Sequence, residues 1–209
     1  RKPITQGILA WNEAFEAIGF KNAIIVHQMP DDAKWDPADV RYSTIRWLIQ
    51  PGVGIGVGPS RANPFTGEIY DADIRISADY IRFFYNEFEE FIDPLTENSY
   101  GEYIQSINEN NTEANDAYDC NYAENMMSDM AFAWYSSFEL LNIPTGNKEK
   151  LMEQFIHDGI VDLLIHEVGH TLGLRHNFKA SSIYNLEQIS NPDFVTKNGP
   201  VGSVMDYNG

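Results

Sequence analysis

Apolar side chains recur at the three-to-four-residue spacing of a helix in four stretches of the chain and alternate with polar ones in others. Ile4, Ile8, Trp11, Phe15 and Ile18 run up to Gly19 and predict a first amphipathic helix, in which core packing accounts for Trp11. Ile81, Phe84, Tyr85, Phe88 and Phe91 predict a helix over 78–92, stopped by Pro94. Met127, Met130, Trp134, Phe138 and Leu141 form one stripe of a helical region over 120–141, and core packing explains its methionines more simply than partner binding. The longest pattern is Leu151, Phe155, Ile156, Ile160, Leu163, Leu164 and Val168, which follows Asn147, a candidate N-cap, and stops at Gly173.

Strands are expected between these helices. Residues 22–29 and 40–50 read as two, the second with Ile45, Trp47 and Ile49 on one face. The loop joining them carries Asp31, Asp32, Asp36 and Asp39; EF-hand spacing is missing, so solvated or capping roles are the simpler account than calcium binding. Val53, Ile55 and Val57 alternate with glycines, and a turn-forming stretch with Asn63, Pro64 and Gly67 leads into a second alternating run, 68–77. A β-hairpin is the expected result. Residues 95–118 are polar and loop-like, and the sequon at Asn110 is read as chance.

Composition narrows the class. A chain of 209 residues, 43% hydrophobic and 13% aromatic, can bury one full core, and a single α+β domain is expected. A net charge of −17 argues against nucleic acid or an anionic membrane as partner, since both select clustered Lys and Arg. The single cysteine, Cys120, excludes an intrachain disulfide and is expected to be a buried thiol. No stretch is apolar enough to span a bilayer, and the N-terminal residues lack the features of a signal peptide.

The chemistry lies at the end of the longest helix, in HEVGHTLGLRH: His166, Glu167, His170, Gly173 and His176. Histidines four apart on a helix share one face and can reach one ion. Gly173 can adopt the positive φ that ends a helix and turns the chain, which would return His176 to the other two. Three neutral imidazoles leave a fourth position of a tetrahedral zinc open, as a catalytic rather than a structural site requires. Glu167 points about 100° away from His166 around the helix, beside the ion without ligating it. Zinc brings the pKa of a bound water to roughly 7, and Glu167 is then placed to accept its proton as a carbonyl is attacked. His27 and His157 fit no ligand spacing. Asp162 could orient a ligand histidine, but the drift of about 40° per four residues favours a solvated or capping role.

The long motif HExxHxxGxxH, followed by Ser203-Val204-Met205-Asp206-Tyr207, resembles the signature of metzincin zinc proteases. The resemblance implies a zincin-like domain in which Met205 lies beneath the metal as an apolar floor in a Met-turn, and Tyr207 contacts zinc or stabilises the oxyanion. After the third histidine stands Asn177, where astacins have glutamate, serralysins proline and adamalysins aspartate, which separates the chain from those families. Wider stretches, 11–24, 29–47, 58–74, 166–181 and 203–207, look like the catalytic domain of large bacterial zinc-dependent metalloproteases of the Met-zincin type. That resemblance implies a zinc endopeptidase acting on protein or peptide substrates outside the cytoplasm. It also implies one domain with an N-terminal part, 1–173, a C-terminal part, 174–209, and a cleft between them, and a fragment of a longer protein is expected. An edge strand within 52–76 is expected to pair with substrate. The rival readings are a zinc-binding peptide-interaction domain and a truncated metzincin core without turnover.

Overall fold

The computed structural model describes residues 1–49, 56–78, 81, 82, 122, 126, 129, 130, 133 and 148–207. Helix α1 (Lys2–Ala17) precedes strands β1 (Thr44–Leu48), β2 (Gly56–Val57), β3 (Ser60–Ala62) and β4 (Ile69–Ser77). Then come helix α2 (Lys148–Thr171), a 3-10 helix (Phe178–Ser182) and the short helices α3 (Leu186–Ile189) and α4 (Pro192–Asn198). Ile81, Arg82, Tyr122, Met126, Asp129, Met130 and Ala133 are also helical, as the expected helices over 78–92 and 120–141 require. The other positions of those helices beyond Ala78, with Cys120, residues 95–118, Val53, Ile55 and Asn147, lie outside the described residues. The class is α+β, and the chain divides into two compact units.

The first unit comprises Arg1–Thr44, Gly58–Asp73 and Ile160–Gly209. Its core forms where α1 meets the C-terminal half of α2. Ile8, Leu163, Leu164 and Val168 are buried there, and Gly7 lets the two backbones approach. A Cβ on Gly7 would stand 2.6 Å from the Leu164 Cβ and 2.7 Å from the Val161 carbonyl. Trp11 bonds across the contact, its indole N–H donating to the Ile165 carbonyl at 2.9 Å. Beyond Gly19, whose φ of +95° ends the helical run, Asn12 holds the returning chain. The Asn12 side chain accepts from the Ile24 N–H and donates to the Ile24 carbonyl, both at 2.9 Å.

Those two bonds correct the strand expected over 22–29. A helix side chain satisfies the backbone groups of Ile24 that a neighbouring strand would have taken, Asn22 has φ +50°, and no ladder forms over these residues. The strand expected over 40–50 is shorter, Thr44–Leu48. Residues before it turn instead: the Tyr42 N–H donates to the Asp39 carbonyl, and the Asp39 carboxylate accepts from the Arg41 backbone and guanidinium. Asp36 likewise accepts from the Ala38 N–H at 2.8 Å, so these two aspartates serve as caps.

The expected hairpin is present. Ser60, Arg61 and Ala62 stand opposite Ala72, Asp71 and Ile69 in an antiparallel ladder, with an irregularity between Arg61 and Ala62. The Gly67 N–H reaches the Asn63 carbonyl at 2.8 Å to close the turn, with Gly67 at φ +76°.

The second unit comprises Ile45–Val57 and Ile74–Gly159. Here β4 lies between β1 and β2, with Gly56 opposite Ile76 and Val57 opposite Arg75 in antiparallel register. Ile74, Ile76, Tyr122, Met126, Met152 and Ile156 supply its buried apolar side chains among the described residues. Ile49, expected to share a buried face with Ile45 and Trp47, lies past the end of β1 and is 81% exposed.

Candidate metal centre

From Leu163 to Gly169 helix α2 is buried on nearly every side, and this stretch includes His166 and Glu167, each without solvent exposure. A helix surrounded in this way normally presents only apolar groups. Its end explains how a polar cluster is tolerated. The Leu174 N–H donates to the Gly169 carbonyl at 3.0 Å and the Gly173 N–H to the His170 carbonyl at 2.9 Å, with Gly173 at φ +90°. This pair of bonds is a Schellman motif, and it reverses the chain within one residue. His176 thereby comes back to the helix.

The side-chain nitrogens of His166, His170 and His176 lie within 4.8 Å of one another. Two of the rings are oriented by main-chain carbonyls. His166 Nδ1 is 2.8 Å from the Val204 carbonyl, and His170 Nδ1 is 3.0 Å from the Leu174 carbonyl. A carbonyl only accepts, so each Nδ1 carries a proton and Nε2 is the atom left to offer a lone pair to a metal. These carbonyls are acceptors that orient the first two rings. His170 Nε2 and His176 Nε2 stand 3.1 Å apart, a separation that calls for a shared proton or a cation.

Burial favours the neutral form of His166 and of His176. Burial pushes His166 down from 6.5 to about 4, against the raising effect of its bond to Val204; His170 and His176 lower it further by repulsion. Burial, then His170, also lowers His176. A neutral imidazole with a directed lone pair is the form that binds metal, so the donor set fits a metal ion.

Below the helix lies Met205, 2% exposed. A Cβ on Gly169, between the two helical histidines, would collide with the Met205 sulfur and come within 3.1 Å of the Trp11 ring. The Met205 carbonyl accepts from the Asn177 N–H at 2.8 Å, which ties the methionine to the residue after the third histidine. Tyr207 joins the group from the side, its ring 4.9 Å from His176 and 6.0 Å from His166. On the opposite side of the helix, Gly58 passes close to Glu167: a Cβ there would stand 3.0 Å from Glu167 Oε2 and 2.5 Å from its carbonyl oxygen.

Of the residues singled out by the motifs, His166, His170 and His176 come together with Tyr207 beside them, Met205 lies against Gly169, Gly173 makes the turn that returns His176, and Glu167 lies against Gly58. His27 is exposed in the segment held by Asn12, and His157 bonds Asp158 at 3.0 Å; neither joins the three-histidine group. Sequence reasoning missed the Val204 and Leu174 carbonyls, because every residue has one and nothing in the chain marks those two. Trp11, read as core, is half-buried and bonds the helix one residue before His166. Gly58 is one of several glycines in its stretch and carried no separate signal.

A family model described as Met-zincin, a domain of unknown function, matches residues 148–209. It covers the histidine-bearing helix and everything after it, and so less than half of the chain. No curated protein and no solved structure matches the chain.

Proposed function

We propose that the chain is the catalytic part of a zinc-dependent endopeptidase of metzincin type. His166, His170 and His176 would hold the ion, which when bound acts as a Lewis acid and brings a bound water to a pKa of roughly 7. Glu167 takes the proton of the attacking water and delivers it to the departing amine. Its burial beneath Gly58 keeps bulk water away and gives it one orientation. Tyr207 donates from its phenol to the developing oxyanion. Met205 fills the space under Gly169 and fixes the height of the helix relative to the segment that ends in Tyr207. An edge strand within 52–76 gives a peptide backbone a partner to pair with.

The single observation that carries this reading is the convergence of three imidazoles, with a carboxylate next to the first in the chain and a tyrosine beside the third. The Met-zincin match to 148–209 supports it. Likeness to exported bacterial metalloproteases supports a setting outside the cytoplasm, and we place 1–173 and 174–209 in one catalytic domain.

The test is hydrolysis of a proteome-derived peptide library by the zinc-loaded protein. Glu167→Gln is expected to reduce kcat about 10²- to 10⁴-fold while zinc remains bound, and a chelator is expected to abolish turnover. Hydrolysis untouched by both would end the proposal, and tight peptide binding without turnover would assign the chain to the zinc-binding interaction class instead.

A further inference from the structure

Phe178 opens the 3-10 helix, two residues after His176, and is 57% exposed, so burial does not explain an aromatic residue there. Its ring lies 5.4 Å from the His176 ring and 5.0 Å from the Tyr207 ring, perpendicular to the latter at 88°. Tyr207 in turn meets His176 at 4.9 Å and 79°. The three rings close a triangle, and two of its sides have the edge-to-face geometry that aromatic pairs prefer.

The backbone on either side sets this arrangement. Asn177 donates to the Met205 carbonyl just before Phe178. After it, the Ser181 hydroxyl donates to the Asp206 carboxylate, whose other oxygen accepts from the Tyr207 N–H at 2.9 Å. The segments bearing Phe178 and Tyr207 are thus tied together both before and after the ring contact. A side chain that merely collapsed onto the surface would not need both ties.

We infer that Phe178 is a positioning residue that holds the Tyr207 ring against His176, so that Tyr207 is already beside the histidine cluster before any substrate arrives. This rests on the reading of the cluster as a metal centre. Without the Phe178 ring, the Tyr207 side chain spreads over other rotamers and spends less time at the cluster.

Copper(II) provides a readout independent of hydrolysis, because a tyrosine coordinated to copper gives a visible charge-transfer absorption. In the copper-loaded protein this band is expected, and Tyr207→Phe is expected to remove it. Phe178→Ala and Phe178→Leu should weaken it about three- to ten-fold at unchanged copper stoichiometry, the size of one lost edge-to-face contact. Phe178→Trp should restore it. The Leu variant keeps apolar volume and so separates loss of the ring from loss of folding. Full band intensity in both Phe178→Ala and Phe178→Leu would overturn the inference, as would a wild-type spectrum indistinguishable from that of Tyr207→Phe. A protein that takes up no copper would overturn it together with the metal-centre reading. A protein that shows the Tyr207 band, loses it in the Phe178 variants and cleaves no peptide would uphold the inference while rejecting the peptidase proposal.

Discussion

The Asp-rich loop at 31–42 and the histidine cluster at 166–176 both gather titratable side chains within the same compact unit, and they are built on opposite plans. In the loop the bonds are local: Asp36 caps Ala38 and Asp39 pairs with Arg41, each two residues away. The Arg41 guanidinium and backbone N–H, both bonded to the Asp39 carboxylate, hold it down at about 2, and the pair lies at the surface, with Arg41 exposed and Asp39 half-buried. Around the cluster several bonds span the chain. His166 reaches Val204 across 38 residues, Ser181 reaches Asp206 across 25, and Trp11 reaches Ile165 across 154. Burial, which dominates the His166 shift, makes its neutral form the stable one. Local charge pairs order a turn; long-range bonds among buried groups build a site whose members must all be in place.

Loss of a cluster member should therefore have the greater effect. Replacing His176 with Ala is expected to weaken zinc binding by more than the ~10–100-fold that follows loss of a group merely bonded to a ligand. Competition with a chromogenic chelator measures this, and an unchanged affinity would remove His176 from the donor set. Met205→Ala empties space beneath Gly169 and should cost about 2–5 kcal/mol in urea unfolding of the metal-free protein. A cost near zero would mean that the methionine is not the floor of the site.

The third difference concerns pH. His166 titrates at about 4 in the fold against 6.5 for an unperturbed histidine, so between these values the unfolded chain binds the extra proton. Its contribution to stability is fully present above about 6.5 and is lost as pH falls towards 4. Melting temperatures of the metal-free protein should fall across this window, and more shallowly in His166→Gln. Equal slopes would show that His166 is not held neutral. The smallest effect belongs to the loop: Asp39→Asn removes one charge of a surface ion pair and should leave the melting temperature unchanged within error. A clear loss would make the loop a second cooperative part of the fold.

Legibility in the sequence follows the same division. The helix of the long motif, its end at Gly173 and the hairpin turn at Asn63–Gly67 could be read because period, capping and turn chemistry act over a few residues. The strand expected over 22–29 was misread. Its apolar residues suit a ladder, but the groups that satisfy Ile24 belong to Asn12, a residue whose reach depends on how α1 packs. Ile49 shows a similar limit, since its alternation with Trp47 says nothing about where β1 stops.

For the site itself, the sequence marked the three histidines, the adjacent carboxylate and Gly173, because ligand spacing on a helix is a local property of 3.6 residues per turn, and it marked Met205 and Tyr207 only through the resemblance to metzincins. Only the tertiary structure decided which ring nitrogens carry protons, that Met205 lies under Gly169, that Gly58 closes on Glu167 and that Phe178 meets Tyr207. Those outcomes depend on carbonyls and small residues common throughout the chain, and packing alone distinguishes the few that matter.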